Sequence, residues 1–244
     1  MEDEVVYGRH AVKALLQSSQ DVNKVFVQES ANIQQLDDII KQARTRKINV
    51  QFVPKHKLDG ITKEKHQGII AMTSAHNYMD IKQLVEQSTG PDNHLMILDG
   101  LEDPHNLGSV LRTADATGFK GVIIPKHRAV GLTSTVAKTS TGAIQNVPVA
   151  RVGNINQTID LLKENGFWIV GTDGSAKTDY RDIPGDVNLA VIIGSEGNGI
   201  SKKTLEKCDF IVKVPMVGSV SSLNASVSAA LLMYEVYRKH HPLN

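Results

Sequence analysis

The sequence predicts an α/β protein with a mostly parallel sheet in its C-terminal part, preceded by a small separate α/β domain. From residue 94 onward, short apolar runs alternate with polar loops and helical patterns, which is typical of a buried parallel sheet. Before residue 77 the elements are shorter, and the breaker-rich run Ser-Thr-Gly-Pro-Asp-Asn at 88–93 separates the two patterns. We therefore predict domains at 1–76 and 94–244, with a linker at 77–93.

Helical and strand patterns alternate in the N-terminal domain. Apolar residues recur at helical spacing at 33–46, whereas the short runs at 24–27 and 50–53 are typical of strands. In chain order we predict a helix at 8–16, a strand at 24–27, a helix at 33–46, strands at 50–53 and 68–72, and a short helix at 81–87 in the linker.

The C-terminal domain repeats the order of apolar strand, polar loop and helix. Ligands of open parallel sheets bind at the carboxyl ends of the strands, so the polar segments that follow strands are the candidate functional segments. We predict strands at 95–98, 121–124, 167–170, 189–193 and 210–214, and helices at 107–116, 155–164, 202–207 and 222–239.

Composition narrows the class of protein. The chain is 41% hydrophobic and 22% charged with a formal net charge of +1, so any basic surface must be local. A single cysteine, Cys208, excludes a disulfide within the chain and a multi-cysteine zinc site. No run approaches the roughly 20 apolar residues of a membrane span, and the N-terminus lacks a signal-peptide pattern. We expect a soluble cytoplasmic protein without a metal ion.

One local basic cluster begins in the predicted helix at 33–46. It contains Lys41, Arg44, Arg46 and Lys47 and is followed by lysines between 55 and 65. Such a cluster is either an RNA-binding surface or a solvated helix face. For the first interpretation, the predicted RNA contacts are Arg44, Arg46 and Lys47.

Two polar segments follow the predicted strands at 95–98 and 189–193. The first holds Asp99, Asn106 and Arg112, and its transition from loop to helix predicts that Asn106 caps the helix. Arg112 projects from an otherwise apolar helix, so it either reaches solvent or serves a site. The second, Gly-Ser-Glu-Gly-Asn-Gly at 194–199, does not match the known phosphate-binding patterns. Its three glycines around Glu196 indicate a tight turn or a loop that exposes backbone to a ligand.

The third segment, at 214–224, leads into the last helix. It contains more serine and asparagine than one helix cap requires, with Ser219, Ser221, Ser222 and Asn224 in close succession. This excess favours contact with a polar ligand at the positive end of the helix.

Taken together and in this order, the three segments closely resemble the SPOUT superfamily, specifically the SpoU (TrmH-like) family of RNA ribose 2′-O-methyltransferases. The first motif, N-x-G-x-x-x-R-T-A, is matched at 106–114, and the second, G-S-E-G-x-G, at 194–199. The third is matched by Val-Pro-Met at 214–216 and Ser-Leu-Asn-Ala-Ser at 222–226. The N-terminal part, beginning with Val-Tyr-Gly-Arg-His-Ala-Val at 6–12, resembles the L30e-like substrate-binding domain of the same family.

This resemblance implies a C-terminal domain with a trefoil knot and a homodimer whose active sites are completed across the interface. It implies S-adenosylmethionine as the cofactor, contacted by Gly194, Val214 and Leu223. It also makes Arg112 the catalytic arginine. Because a guanidinium is a poor base, with a pKa above about 12, we assign Arg112 to the target phosphate and the forming alkoxide. The remaining implied catalytic residues, which position the ribose or order the loop, are Asn106, Glu196, Ser222 and Asn224.

The resemblance is strongest to the subgroup that methylates a guanosine of large-subunit ribosomal RNA. A tRNA ribose 2′-O-methyltransferase and a catalytically silent RNA-binding protein on the same fold remain alternatives. A Rossmann-type enzyme is disfavoured, because the segment after the strand at 95–98 lacks a glycine-rich turn.

Overall fold

The computed structural model describes residues 5–18, 20–74, 76–88, 90 and 92–242, and the chain divides into two compact units. The first comprises the residues up to Asn77 together with Gly131–Ser134, and the second comprises Tyr78–Val130 and Thr135–Asn244. The range 78–93 therefore lies with the second unit, where a helix at Ile81–Gln87 packs Leu84 and Val85 into the core.

The first unit is built around a four-stranded sheet in the order β1-β4-β2-β3, in which β2 and β3 are parallel and the other pairs antiparallel. The predicted helix at 33–46 is divided, because Asn32 caps a short 3₁₀ turn at Ile33–Gln35 before the α-helix begins. Neither β1 nor α3 was predicted from the sequence. The elements are β1 Val5–Tyr7, α1 Arg9–Gln17, β2 Val22–Gln28, α2 Asp37–Thr45, β3 Asn49–Val53, α3 Lys55–Ile61 and β4 Ile69–Thr73.

The helices of this unit bury apolar faces against the sheet. Val12 of α1 and Ile39 of α2 join Val25 and Ala71 of the strands in one core. On α3, Leu58 packs with Val53 and Ile70 in a second, smaller cluster. Alternate residues of the strands thus supply two clusters, as the period of two along a strand requires.

The second unit contains a seven-stranded sheet in the order β7-β6-β5-β10-β8-β11-β9. Every pairing in it is parallel, so the predicted mostly parallel sheet is confirmed. The short or polar elements β7, β9 and α6 were not predicted. The elements are α4 Ile81–Gln87, β5 Leu95–Asp99, α5 Pro104–Thr117, β6 Gly121–Pro125, α6 Ser134–Thr139, β7 Val149–Val152, α7 Ile155–Glu164, β8 Trp168–Thr172, β9 Thr178–Asp179, β10 Leu189–Gly194, α8 Lys202–Leu205, β11 Phe210–Lys213 and α9 Ala225–His240.

The order of the strands determines where a ligand crevice forms. Strands β6 and β7 are added on one side of β5, whereas β10 and the remaining strands lie on the other. The direction in which strands are added therefore reverses next to β5. In such sheets the loops on the two sides of this point run in opposite directions and leave a crevice at the carboxyl edge. All three motif segments follow a strand of this sheet, namely β5, β10 or β11.

Candidate active site

Two cavities open at the carboxyl edge of the sheet within the described part of the second unit. The larger, about 780 Å³, is lined by residues that follow β5, β6, β7 and β10. The smaller, about 390 Å³, is lined by residues that follow β8, β10 and β11 and by the segment that enters α9. The loop after β10 separates them, because four of its residues line both: Ser195, Glu196, Asn198 and Gly199.

The smaller cavity contains all three residues predicted to bind the cofactor. Gly194 ends β10, Val214 follows β11, and Leu223 precedes α9, and all three line this cavity. Ser222 lines it as well. The predicted helix at 222–239 was wrong in its start, since α9 begins at Ala225. Ser222 therefore belongs to the loop that forms the cavity wall.

The loop after β10 folds back tightly on itself. The Ser195 and Gly199 backbones exchange hydrogen bonds of 3.2 and 2.9 Å. A Cβ atom at Gly194 would lie 2.2 Å from the carbonyl carbon of Gly199, so no larger residue fits there. The segment is thus both a tight turn and a cavity wall, which combines the two interpretations that the sequence left open.

Glu196 joins the three motif segments. Its Oε1 accepts a hydrogen bond from Asn106 Nδ2 at 3.2 Å and another from Asn224 Nδ2 at 3.4 Å. Asn224 also caps α9, because its Oδ1 accepts from the backbone N–H of Ser226 at 2.9 Å. One carboxylate therefore fixes the side chains of α5 and of the α9 entry beside both cavities.

Asn106 does not cap α5, contrary to the prediction. Asp103 is the cap and accepts from the backbone N–H of His105 at 3.0 Å, while Pro104 occupies the first turn. Asn106 lies inside the helix and is buried. The glycine two residues on has a packing reason, since a Cβ at Gly108 would lie 1.8 Å from Thr139 Oγ1.

Arg112 lies apart from the cluster around Glu196. It is exposed on α5 and lines neither cavity. It forms no hydrogen bond or ion pair with any residue that the structure describes. Its own chain thus leaves the guanidinium available for another partner.

The larger cavity includes residues that the sequence analysis did not assign. His127 and Arg128 follow β6, and Gly153 and Asn156 follow β7. The predicted strand at 121–124 was a usable signal for the first pair, because residues after a parallel strand reach the same edge. The second pair was missed together with β7, a four-residue strand that contains an arginine.

Asp99, at the end of β5, also lines the larger cavity. In the strand pairing it lies opposite Gly194. The carboxylate is half-buried and accepts no hydrogen bond from any described residue. Burial raises its pKa above the ordinary value.

The basic cluster of the first unit divides into two kinds of residue. The guanidinium of Arg46 donates to the backbone carbonyls of Leu16 and Gln20, each at 2.9 Å, and so holds the chain that follows α1. Arg44 and Lys47 are exposed. Of the three predicted RNA contacts, Arg46 therefore has a structural task, and only Arg44 and Lys47 extend freely into solvent.

Three further features bear on the class of site. Within the described ranges, no group of three or more His, Cys, Asp or Glu side chains could hold a metal ion, and no helix could span a membrane. Burial raises the pKa of the Cys208 thiol to about 11, so this cysteine is a poor nucleophile at neutral pH.

The fold and the two adjoining cavities define a parallel α/β protein with a ligand site at the carboxyl edge of its sheet. Comparison with known proteins gives its family. Residues 93–234 match the SpoU rRNA Methylase family, and residues 5–79 match the RNA 2′-O ribose methyltransferase substrate-binding domain. The chain belongs to the SpoU family of RNA methyltransferases, which confirms the predicted enzyme class.

Relatives match over nearly the whole chain. A protein of Staphylococcus aureus (strain COL), by name a TrmH family tRNA/rRNA methyltransferase, is 55% identical over 99% of this chain and 98% of its own. A SpoU methyltransferase, AviRb from Streptomyces viridochromogenes in complex with AdoMet, has a similar fold, with a TM-score of 0.63 and 23% identity over 97% of this chain and 90% of that one. An AdoMet-bound rRNA methyltransferase from Sinorhizobium meliloti has a TM-score of 0.62 and 21% identity over 97% and 87%.

Proposed function

We propose that this protein transfers a methyl group from S-adenosylmethionine to the ribose 2′-hydroxyl of a guanosine in large-subunit ribosomal RNA, in the cytoplasm. The observation that carries the proposal is the position of Glu196. This carboxylate contacts the first and third motif segments through Asn106 and Asn224 and lies between two cavities. Such an arrangement can hold two large substrates on either side of Glu196 and so align donor and acceptor for transfer.

The smaller cavity is the cofactor site. Residues at its wall expose backbone: the loop after β10 has no side chain at Gly194, and the segment before α9 is an irregular loop. Gly194, Val214 and Leu223 would hold S-adenosylmethionine there, in agreement with the AdoMet that the Streptomyces relative binds. When bound, the cofactor supplies a methyl group already activated on a sulfonium.

The residues of this chain align the acceptor. Asn106 and Asn224 are held by Glu196, and their amide groups, with the hydroxyl of Ser222, orient the ribose toward the smaller cavity. Arg112 binds the target phosphate and stabilises the oxyanion that forms as the 2′-hydroxyl loses its proton. A guanidinium suits this task because it is always charged and offers several donors.

A second copy of the chain supplies Arg112. The guanidinium lines neither cavity of its own chain, and α5 contacts α9. Three large apolar side chains of α9 are exposed although they share one face of the helix: Val227 at 47%, Tyr234 at 52% and Tyr237 at 38%. We infer that this face belongs to the homodimer interface and that the chain around β10, β11 and α9 forms the trefoil knot of the family. Light scattering at micromolar concentration should give twice the monomer mass of 26.6 kDa.

A tRNA target is the second candidate, because the name of the Staphylococcus relative covers both tRNA and rRNA. Transfer of a radiolabelled methyl group to purified ribosomal RNA and to purified tRNA, both from cells that lack the gene, separates the two. We expect label in large-subunit RNA, at a guanosine 2′-oxygen. Label in tRNA alone would favour the second candidate, and binding of RNA without transfer would identify a silent protein.

A further inference from the structure

The larger cavity has a defined relation to the cofactor site. Its wall is shared with the smaller cavity through Glu196, Asn198 and their neighbours in the loop after β10. If the cofactor occupies the smaller cavity, the group that enters the larger one lies on the acceptor side of Glu196. With a volume of about 780 Å³, the cavity has room for a whole nucleoside.

Two hydrogen-bond acceptors in the wall of this cavity are partly or fully removed from solvent and lack a donor. The Asp99 carboxylate accepts no hydrogen bond from any described residue. The Oδ1 atom of Asn156 is buried and has no partner among the described residues either. Buried polar groups are usually hydrogen-bonded, and unmade bonds cost free energy. A ligand that brings N–H donors would satisfy them.

Of the other carboxylates in the wall, Glu102 is exposed to solvent, and the remaining two already have hydrogen-bond partners. Glu196 accepts from two asparagine amides, and Asp103 caps α5. Asp99, unlike these two, has no hydrogen-bond donor among the described residues. In the pairing of β5 with β10 it lies opposite Gly194, which lines the proposed cofactor cavity. Neighbouring strands are about 5 Å apart, so the backbone of Asp99 lies one strand from the cofactor site.

We propose that the larger cavity receives the target nucleobase and that Asp99 recognises it as guanine. The inference rests on the proposed function and adds the residue that selects the base. Guanine alone among the four RNA bases presents two adjacent donors on its Watson–Crick edge, N1–H and N2–H. A carboxylate accepts both at once in a charge-assisted bidentate pair. Adenine, cytosine and uracil each offer a single donor there, next to at least one acceptor that a carboxylate repels.

Burial supports this role for Asp99. The carboxylate is half-buried in the wall of the cavity, and this burial raises its pKa above the ordinary value. An ionised carboxylate without a partner attracts N–H donors strongly in a partly desolvated cavity. Proteins usually recognise single-stranded RNA through bases that are not stacked in a helix, by hydrogen bonds to edges such as the Watson–Crick edge.

The test begins by mapping the methylated nucleotide with the wild-type protein and RNA from cells that lack the gene. Absence of methyl transfer to any RNA would overturn the proposed function itself. Transfer to a nucleotide other than guanosine would leave the enzyme class intact and overturn the role of Asp99. The two failures are therefore distinguishable.

The second step uses a short RNA that carries guanosine or inosine at the mapped position. Inosine lacks only the N2 amino group, so the wild-type enzyme should lose about 10- to 100-fold in kcat/KM, the usual effect of one hydrogen bond to a charged group. Asp99→Asn should lose a similar factor or more with guanosine, because its amide cannot accept from both donors. The same variant should treat inosine and guanosine alike.

Two controls test whether Asp99→Asn loses activity only because the substitution disturbs the structure. Affinity for S-adenosylmethionine should be unchanged in Asp99→Asn, since Asp99 does not line the smaller cavity. Asp186→Asn makes the same chemical change at an exposed residue before β10, at the opposite edge of the sheet, and should retain the wild-type preference for guanosine. A wild-type enzyme that does not distinguish inosine from guanosine, or an Asp99→Asn variant that keeps the distinction, would overturn the proposal.

Discussion

Two polar clusters lie at opposite edges of the seven-stranded sheet, and only one of them borders the two cavities described above. At the amino edge, His94 precedes β5 and packs against His240 at the end of α9, with ring centroids 4.6 Å apart. His94 Nδ1 accepts from the backbone N–H of Leu189, and His240 pairs with Asp92 at 2.5 Å. This cluster ties α9 to the sheet and lines neither of the two cavities described above.

The cluster around Glu196 at the carboxyl edge contains equally ordinary residues. What distinguishes it is its surroundings, because Glu196 borders two cavities and the loops around it expose backbone. Strands of a parallel sheet end together at this edge, and their loops diverge where the strand order reverses. Burial of polar residues is therefore not by itself a sign of function, and an adjoining cavity at the carboxyl edge is the better indication.

The largest effect should come from Arg112, which the proposed dimer brings to the carboxyl edge. Arg112→Ala should lower kcat by about 10²- to 10³-fold, the usual loss for one donor that stabilises a developing oxyanion. Affinity for S-adenosylmethionine should remain near the wild-type value, as measured by calorimetric titration.

Arg112→Lys should fail as well, because a single ammonium does not reproduce the planar set of guanidinium donors. Arg181→Ala is the matched control, since it removes an exposed arginine that lines neither cavity. Substantial turnover in Arg112→Ala would contradict the assignment.

Glu196 and His240 test the comparison directly. Glu196→Ala releases Asn106 and Asn224, so methyl transfer should fall about 10- to 100-fold, because each amide loses a charged acceptor worth roughly 1.5–3 kcal/mol. His240→Ala should lower the free energy of unfolding by roughly 1–3 kcal/mol instead, with the activity of the folded protein retained.

Thermal melts and turnover of both variants provide the measurement. If Glu196→Ala lost only stability, or if His240→Ala lost activity in the folded state, the division of tasks between the two edges would be wrong.

Protonation should weaken the amino-edge cluster. Burial, and then the neighbouring His240, lowers the pKa of His94 to about 4 from an ordinary 6.5. The unfolded chain therefore binds the proton more tightly. The stabilisation is complete above about pH 6.5 and is lost as the pH falls toward 4, by roughly 3 kcal/mol in all. Melting temperatures of the wild type and of His94→Gln from pH 7.5 to pH 4.5 should differ in slope, and parallel curves would contradict this.

The smallest effect concerns RNA binding by the first unit. Neutralising Arg44 and Lys47 together should lower RNA affinity several-fold and reduce the salt slope by about one to two, because each phosphate contact to a single strand releases about 0.7 counterion. Arg46→Ala should instead destabilise the unit, since Arg46 donates to backbone carbonyls. Unchanged RNA affinity of the double variant across a salt series would place recognition elsewhere.

The apolar runs from residue 94 onward were sufficient to predict the parallel sheet, because strands buried on both faces consist of little else. Short or polar elements were missed, among them β7, β9 and α3. Their local patterns are weak, and neighbouring strands rather than their own residues determine their conformation. Asn106 was predicted to cap α5 but lies inside the helix, because Asp103, three residues earlier, is an equally good capping residue and occupies the cap position.

The sequence by itself determined the class of fold, the three motif segments and the family, since hydrophobic period and motif order are properties of the chain alone. Only the tertiary structure brought Asn106, Glu196 and Asn224 within hydrogen-bonding distance, placed Asp99 in the wall of the larger cavity, and left Arg112 outside both cavities. It also separated Arg46, a structural residue, from the exposed Arg44 and Lys47. The physical reason is that each of these relations joins residues distant in sequence or depends on what a side chain faces, and strand order and helix packing decide both.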